Sequence, residues 1–223
     1  MNTSQLIDFA ELALAGYGQF DLAARPPLPD ELTTLNRDPA GFSDLQARRF
    51  GTRFDVGALT FSDATSPNGS GATSFDVTVF KGKIGADTGR VFIAFRGTGQ
   101  KSALETPNDL QSIVENLTVG AAVSQIVAMY NWWQRVSNPA GTQDPTMVRQ
   151  YGIVSVWHDA AAPVGGLLLN GLGRIAGLPL DYLVRLPDVP STGEVATLVA
   201  ASPSAQVAVT GSSLGGHLAM AFA

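Results

Sequence analysis

The chain has 223 residues, enough for one α/β domain with a sizeable core and with little room for a second. Apolar residues make up 45% of the chain and charged residues only 15%, a balance that favours a compact, core-rich protein over a disordered one. The net charge of -5 argues against a nucleic-acid partner, and the lack of cysteine excludes disulfides, thiolate metal sites and cysteine nucleophiles.

The sequence predicts neither a signal peptide nor a transmembrane segment. The N-terminal stretch MNTSQLIDFAELALAGYGQF lacks the basic start and the unbroken apolar run of a signal peptide. The most apolar region, residues 160–180, is interrupted by Pro163, Asn170, Arg174 and several glycines, whereas a transmembrane helix needs about 20 mostly apolar residues. We therefore expect a soluble chain.

The predicted elements in the first half change from helical to strand periodicity. Residues 4–16 carry apolar side chains at helical spacing. Residues 24–54, punctuated by prolines, predict an irregular surface segment with short helices. Alternation in residues 74–82 predicts a half-buried strand, and the continuous apolar run of residues 91–95 predicts a central strand covered on both faces.

The second half returns to helical spacing and then alternates. Residues 108–137 predict a helix, and residues 151–159 fit either a strand or part of a cap. A capping-box pattern of Ser191 and Glu194 predicts a helix over residues 191–204. The order of strands and helices, with fully apolar strands, implies a mostly parallel sheet with helices on both faces. The predicted fold class is α/β, in one domain spanning the chain.

The stretch VAVTGSSLGGH, residues 207–217, predicts a buried strand, a tight turn and the start of a helix. Gly211, Ser213 and Gly215 fit the pattern G-x-S-x-G, which puts Ser213 in the nucleophile position. An abrupt turn from strand to helix strains the serine backbone, and the flanking glycines, with Gly216, are expected to prevent Cβ collisions. The alternative is a structural glycine-rich turn with two incidental serines.

A nucleophilic serine also needs hydrogen-bond donors for the oxyanion. On this kind of turn one donor is the N–H of the next residue, here Leu214, and the other comes from a loop after an earlier strand. The sequence RGTG follows the predicted central strand, so Thr98 is predicted to supply the second backbone N–H. The alternative is that RGTG is an ordinary glycine turn.

Two motifs carry a resemblance to a known family. FIAFRGT at residues 92–98 and VAVTGSSLGG at residues 207–216 resemble the class-3 lipase family, in its bacterial secreted branch. The resemblance covers roughly residues 74–223 and implies an α/β-hydrolase fold. Ser212 stands where many of these lipases have histidine, a departure that weakens the lipase assignment more than the hydrolase assignment.

The resemblance also implies roles for individual residues. Ser213 matches the nucleophile, Leu214 and Thr98 match the oxyanion donors, and Asp109 matches an acidic residue that helps hold the oxyanion threonine. No organic cofactor is implied. Structural calcium occurs in the secreted relatives and would belong to the complete protein, since no acidic loop of this chain is convincing as a calcium site.

The general base and its acid are not evident in the sequence. In this fold they follow the serine in the order Asp or Glu, then His, but only His217 follows Ser213 and no acidic residue does. His217 lies one turn along the same helix and is predicted to be a surface or packing residue. His158 and Asp159 precede the serine and are predicted to be a surface or cap-loop pair, with a rearranged triad as the alternative. We therefore expect an incomplete polypeptide that alone hydrolyses esters at background level.

An apolar insertion is predicted between the helix that ends near residue 137 and the helix that begins near residue 191. Residues 139–190 are expected to form a cap, in which residues 163–187 are too apolar for an ordinary exposed loop. The functional interpretation is a lid over the serine that opens on lipid surfaces, and the alternative is a buried cap helix without a gating role.

The sequence therefore predicts a serine carboxylester hydrolase, most closely a lipase, with an ester or lipid substrate and transient lipid-surface contact through the cap. The alternatives are a phospholipase or acyltransferase on the same scaffold, and a catalytically silent lipid-binding or interaction domain. The resemblance favours secretion without an N-terminal signal peptide, and a cytoplasmic location is the alternative.

Overall fold

The structure is a computed structural model that describes residues 3–18, 20, 32–33, 41–62, 75–97, 123–141, 146–156, 180–202 and 206–223. Its elements in chain order are α1 (Thr3–Ala15), α2 (Asp44–Arg53), β1 (Phe54–Ser62), β2 (Asp76–Gly82), β3 (Val91–Phe95), α3 (Val123–Ser137), β4 (Met147–Val156), β5 (Leu180–Pro190), α4 (Glu194–Ala200), β6 (Val207–Gly211) and α5 (Leu214–Phe222).

Four strands form a mixed sheet in the order β1-β2-β3-β6. The β1–β2 and β2–β3 pairs are antiparallel, and β3 and β6 are parallel. The general α/β class is confirmed, but the expectation of a mostly parallel sheet is wrong for the described strands. For β2 and β3 the reason is the length of their connection, because residues 83–90 suffice to return the chain antiparallel while a parallel return needs about a dozen residues or more.

Helices cover both faces of this sheet, as the sequence predicted. Side chains of β3 alternate between two cores, with Phe92 and Ala94 on one face and Val91, Ile93 and Phe95 on the other. The first core includes residues of α1 and α2, and the second includes residues of α3, α4 and α5. The prediction of a central strand over residues 91–95, buried on both faces, is confirmed.

Burial differs from expectation in three places. β2 is buried on both faces rather than half-buried, because sheet neighbours flank it on both edges and helices cover both sides. β6 is the last strand of the described sheet, so it is less buried than predicted and Val207 is 37% exposed. In the described part of the predicted surface segment 24–54, Phe42, Phe50 and Phe54 pack in the first core, and one of the expected short helices is present as α2.

The second sheet consists of β4 and β5, which pair antiparallel. Asn131 of α3 fixes β4 to the helix, because its side chain donates to the Tyr151 carbonyl at 2.6 Å and accepts from the Tyr151 N–H at 2.8 Å. Residues 151–156, for which the sequence left a strand or a cap open, belong to a strand. Within the expected lid, residues 163–187, residues 180–187 belong to β5, and residues 163–179 lie outside the described residues.

The capping box predicted for the helix near residue 194 is wrong. The N-cap of α4 is Gly193, with φ 70° and ψ 13°, and no side chain caps the helix. The Ser191 hydroxyl instead donates to the Pro139 carbonyl at 2.8 Å. Ser191 therefore links the segment before α4 to the segment after α3 rather than capping the helix.

Candidate active site

Strand β6 turns into helix α5 through two residues, Ser212 and Ser213. We call the segment Gly211–Gly215 the elbow. The turn is closed by backbone hydrogen bonds, since the Gly215 N–H donates to the Ser212 carbonyl at 2.9 Å and the Gly216 N–H donates to the Ser213 carbonyl at 3.0 Å. The strand, tight turn and helix predicted around Ser213 are therefore present.

Ser213 has a backbone conformation that side chains rarely adopt. Its φ is 55° and its ψ is −125°, and among the described residues it is the only non-glycine with positive φ. This ψ lies outside the small left-handed region that side-chain-bearing residues tolerate. Such conformations cost about 1–3 kcal/mol and persist only where the surroundings hold them. Ser213 is nevertheless exposed, so the turn presents its side chain to solvent.

Two glycines make this turn sterically feasible. A Cβ on Gly211 would lie 2.2 Å from the Gly215 carbonyl oxygen, and a Cβ on Gly215 would lie 2.1 Å from the Phe95 carbonyl oxygen at the end of β3. Gly216 is less constrained, because its Cβ would approach the Gly211 carbonyl oxygen only to 3.3 Å. The glycines at the two G positions of G-x-S-x-G are thus required by backbone contacts, and Gly216 much less so.

The end of β3 lies directly against the elbow. A Cβ on Gly97 would lie 2.4 Å from the Ser212 carbonyl oxygen, 2.7 Å from the Tyr17 hydroxyl oxygen and 3.1 Å from the Ser213 Cβ. The RGTG sequence and the serine turn, more than a hundred residues apart, therefore meet at Gly97. Thr98, the predicted oxyanion donor, follows immediately but lies outside the described residues, as does Asp109.

The predicted oxyanion donor of the elbow is at the start of α5. Leu214 is the first residue of that helix and is buried. First-turn N–H groups have no acceptor within their own helix, and the positive end of the helix dipole favours negative charge there. An oxyanion donor beside Ser213 requires such an N–H, and Leu214 has the first one of the helix.

A base beside the serine is not seen in the part of the chain that the structure describes. The Ser213 side chain makes no hydrogen bond to any described residue, and its exposure leaves the hydroxyl to solvent. His217 is half-buried in α5 and contacts Ser213 through the backbone, its N–H donating to the Ser213 carbonyl at 3.4 Å. His158 and Asp159 lie outside the described residues.

Three residues beside the elbow were not found by sequence reasoning. Arg96 donates from Nη1 to Asp76 Oδ2 at 3.0 Å, and its guanidinium carbon lies 5.4 Å from the centre of the Tyr17 ring. Burial raises the pKa of Asp76, and the charge and hydrogen bond of Arg96 oppose that rise. No local pattern marks these residues, because Tyr17 follows α1, Asp76 begins β2 and Arg96 follows β3.

Comparisons with protein-family models, with curated proteins and with solved structures gave no match. Within the described residues, no group of three or more histidines and acidic residues is placed to hold a metal ion. None of the described helices combines the length and the apolar character needed to span a membrane.

Proposed function

We propose that this protein is a serine carboxylester hydrolase, most closely a lipase, with Ser213 as the nucleophile. The observation that supports this most is the backbone of Ser213, with φ 55° and ψ −125° in an exposed turn between a strand and a helix. A strained residue held by its surroundings is a common feature of active sites. Glycine would occupy this conformation without strain, so the strain is consistent with a requirement for the hydroxyl.

The chemistry of the proposal is acyl transfer to Ser213 and then to water. The Ser213 Oγ attacks the ester carbonyl carbon, the carbon–oxygen bond to the alcohol breaks, and the hydroxyl proton leaves to a base. The N–H of Leu214 and, by resemblance, that of Thr98 would stabilise the tetrahedral oxyanion, with Asp109 supporting Thr98. The proposal assigns the base to neither histidine of this chain.

Because the described part of the chain places no base beside Ser213, we expect the chain to acylate slowly and to release the acyl group more slowly still. The test is incubation of the 223-residue chain with excess p-nitrophenyl butyrate at about pH 9, where hydroxide can take the proton, followed by intact-mass measurement. We expect stoichiometric gain of one butyryl group and turnover at background level.

Adjacent serines provide the matched control. Ser213→Ala should abolish the butyryl adduct, while Ser212→Ala should keep it, because only Ser213 has the strained backbone. Equal labelling of wild type and Ser213→Ala would contradict the proposal. Sustained Ser213-dependent turnover would contradict the expected lack of a base.

A second candidate is a catalytically silent lipid-binding domain. It is favoured by the Ser213 hydroxyl, which has no hydrogen-bond partner among the side chains that the structure describes. Binding to phosphatidylcholine vesicles without any Ser213 adduct would support this candidate. If acylation is found, analysis of the products from defined lipids would distinguish a lipase from a phospholipase or an acyltransferase.

A further inference from the structure

We propose that the Tyr17 hydroxyl belongs to the same site and donates a hydrogen bond to the carbonyl oxygen of an ester held at Ser213. This inference rests on the proposed function, because it requires an ester at the serine. Tyr17 lies near the N-terminus of the chain, outside both FIAFRGT and VAVTGSSLGG.

The position of Gly97 connects the two hydroxyl groups. The point at which a Gly97 Cβ would stand is 2.7 Å from the Tyr17 hydroxyl oxygen and 3.1 Å from the Ser213 Cβ. The phenol and the serine therefore lie beside each other at the end of β3, and their close approach leaves no room for a side chain at position 97. An ester carbonyl bound at Ser213 must extend into the space beside the serine, where the Tyr17 hydroxyl lies within reach.

Three contacts hold Tyr17 in this position. Its backbone N–H donates to the Leu14 carbonyl at 3.0 Å, which ties it to the end of α1. The Thr210 hydroxyl of β6 donates to the Phe9 carbonyl at 3.0 Å, which ties α1 to the strand that carries the elbow. Arg96 lies over the Tyr17 ring and is itself fixed by Asp76. A donor held this rigidly loses little entropy when it binds a ligand.

The side chain of Tyr17 ends in a hydroxyl that can donate a hydrogen bond to a ligand. Tyr17 is half-buried, and its hydroxyl makes no hydrogen bond to any residue that the structure describes. A phenol hydroxyl can donate a hydrogen bond, and a carbonyl oxygen becomes a stronger acceptor as it gains negative charge in the transition state. The Tyr17 hydroxyl would therefore act together with the Leu214 N–H on one oxygen.

The experiment measures the rate of Ser213 acylation by p-nitrophenyl butyrate at about pH 9 as the reagent concentration is raised to saturation. Tyr17→Phe keeps the ring that Arg96 contacts and removes only the hydroxyl. We expect the saturating acylation rate to fall at least 10-fold, since loss of one oxyanion donor lowers rates by about 10²–10³ in well-formed sites. The matched control is Tyr130→Phe, which removes a hydroxyl on α3 and should leave the rate unchanged.

A thionoester separates this role from a structural one. Sulfur in place of the carbonyl oxygen is a weak hydrogen-bond acceptor, so Tyr17→Phe should slow acylation by the ester and hardly affect acylation by the thionoester. A structural defect would slow both reagents equally. Tyr17→Leu is a second hydroxyl-free variant, and the ester-to-thionoester rate ratio corrects each variant for a general loss of structure.

The outcomes distinguish this inference from the proposed function. No Ser213 adduct in the wild-type chain would overturn both. A Ser213 adduct in wild type, with equal ester-to-thionoester ratios in wild type and Tyr17→Phe, would overturn the role of Tyr17 and leave the nucleophile intact. A ratio that falls in both Tyr17 variants and not in Tyr130→Phe supports the inference.

Discussion

Two turns of this molecule, the turn between β2 and β3 and the elbow, contain residues with positive φ. The two turns differ in which residue type adopts that conformation. The turn between β2 and β3 contains two residues with positive φ, and both are glycines, Gly85 at 64° and Gly89 at 75°. The elbow between β6 and α5 contains one, Ser213 at 55°, and it carries a side chain. The elbow has glycines on both sides of this serine, yet none at the strained position.

Glycine therefore has two different uses in these turns. In the turn between β2 and β3, glycine removes strain, because a residue without Cβ adopts positive φ at no steric cost. In the elbow, Gly211 and Gly215 remove steric overlap between backbones, and the strain remains at Ser213. A turn needed only to join a strand to a helix would gain stability from glycine at position 213, and the serine found there instead supports the proposed role of its hydroxyl.

The largest expected effect on stability comes from adding a methyl group inside the elbow. Gly215→Ala would place a Cβ 2.1 Å from the Phe95 carbonyl oxygen, and backbone on both sides must shift. We expect the free energy of unfolding to fall by about 3 kcal/mol, the upper end for overpacking. The measurement is urea unfolding followed by circular dichroism.

Gly216→Ala is the matched control for this change. Its Cβ would meet the Gly211 carbonyl oxygen at 3.3 Å, and alanine is favoured over glycine inside a helix by about 1 kcal/mol. The free energy of unfolding should therefore stay within about 1 kcal/mol of wild type. Equal losses in Gly215→Ala and Gly216→Ala would contradict the close contact between the elbow and β3.

The strain at Ser213 predicts a smaller effect, in which a change to glycine raises the free energy of unfolding relative to a change to alanine. Ser213→Gly should be more stable than Ser213→Ala by about 1–2 kcal/mol, because glycine relieves strain of about 1–3 kcal/mol and loses part of that gain to its unfolded-state entropy. At Ser212, whose φ is not positive, glycine should instead be less stable than alanine by about 0.5–1 kcal/mol. Unfolding of the four variants in urea measures both differences, and the same sign at both positions would refute the strain.

The turn between β2 and β3 provides the reverse test. Gly85 has φ 64°, and a Cβ added there would have no heavy atom within 4 Å, so Gly85→Ala adds conformational strain without a collision. We expect a loss of about 1 kcal/mol in the free energy of unfolding. Gly85→Asn should lose less, since asparagine tolerates left-handed conformations better than alanine. Thermal unfolding of both variants checks the order.

The parts of the fold that could be predicted from the sequence depend on local patterns. The apolar run 91–95 is short and flanked by glycines, which favours a buried strand, and the glycine spacing of the elbow is typical of a turn from strand to helix. The strand directions could not be predicted in this way, because burial on both faces makes β2 and β3 apolar in either direction. Ser191 matched a capping pattern, but the helix starts after Gly193, whose αL backbone supplies the turn.

The candidate site was predictable only in its two motifs. Gly97 and Ser213 belong to patterns with a known geometry, so their proximity could be expected. The approach of Tyr17 depends on how α1 packs against the ends of β3 and β6, a contact between distant parts of the chain that no spacing in the sequence encodes. Asp76 and Arg96 are an ion pair across two strands, whose register is set by the sheet as a whole.

The smallest expected effect concerns Asp76, which begins β2. It pairs with Arg96 at the end of these strands that is away from the turn between β2 and β3. Burial raises the pKa of Asp76 above its ordinary value of 3.8, against the opposing effect of Arg96. The folded chain then binds more protons than the unfolded chain between the folded and unfolded pKa values of Asp76, so this carboxyl makes stability fall as pH rises through that window.

In Asp76→Asn this contribution is absent. The free energy of unfolding of wild type, relative to Asp76→Asn, should therefore decrease as pH rises from about 3.8. Urea unfolding of both chains across this range measures the difference, and a relative stability that increases with pH would mean that Arg96 outweighs burial at this site.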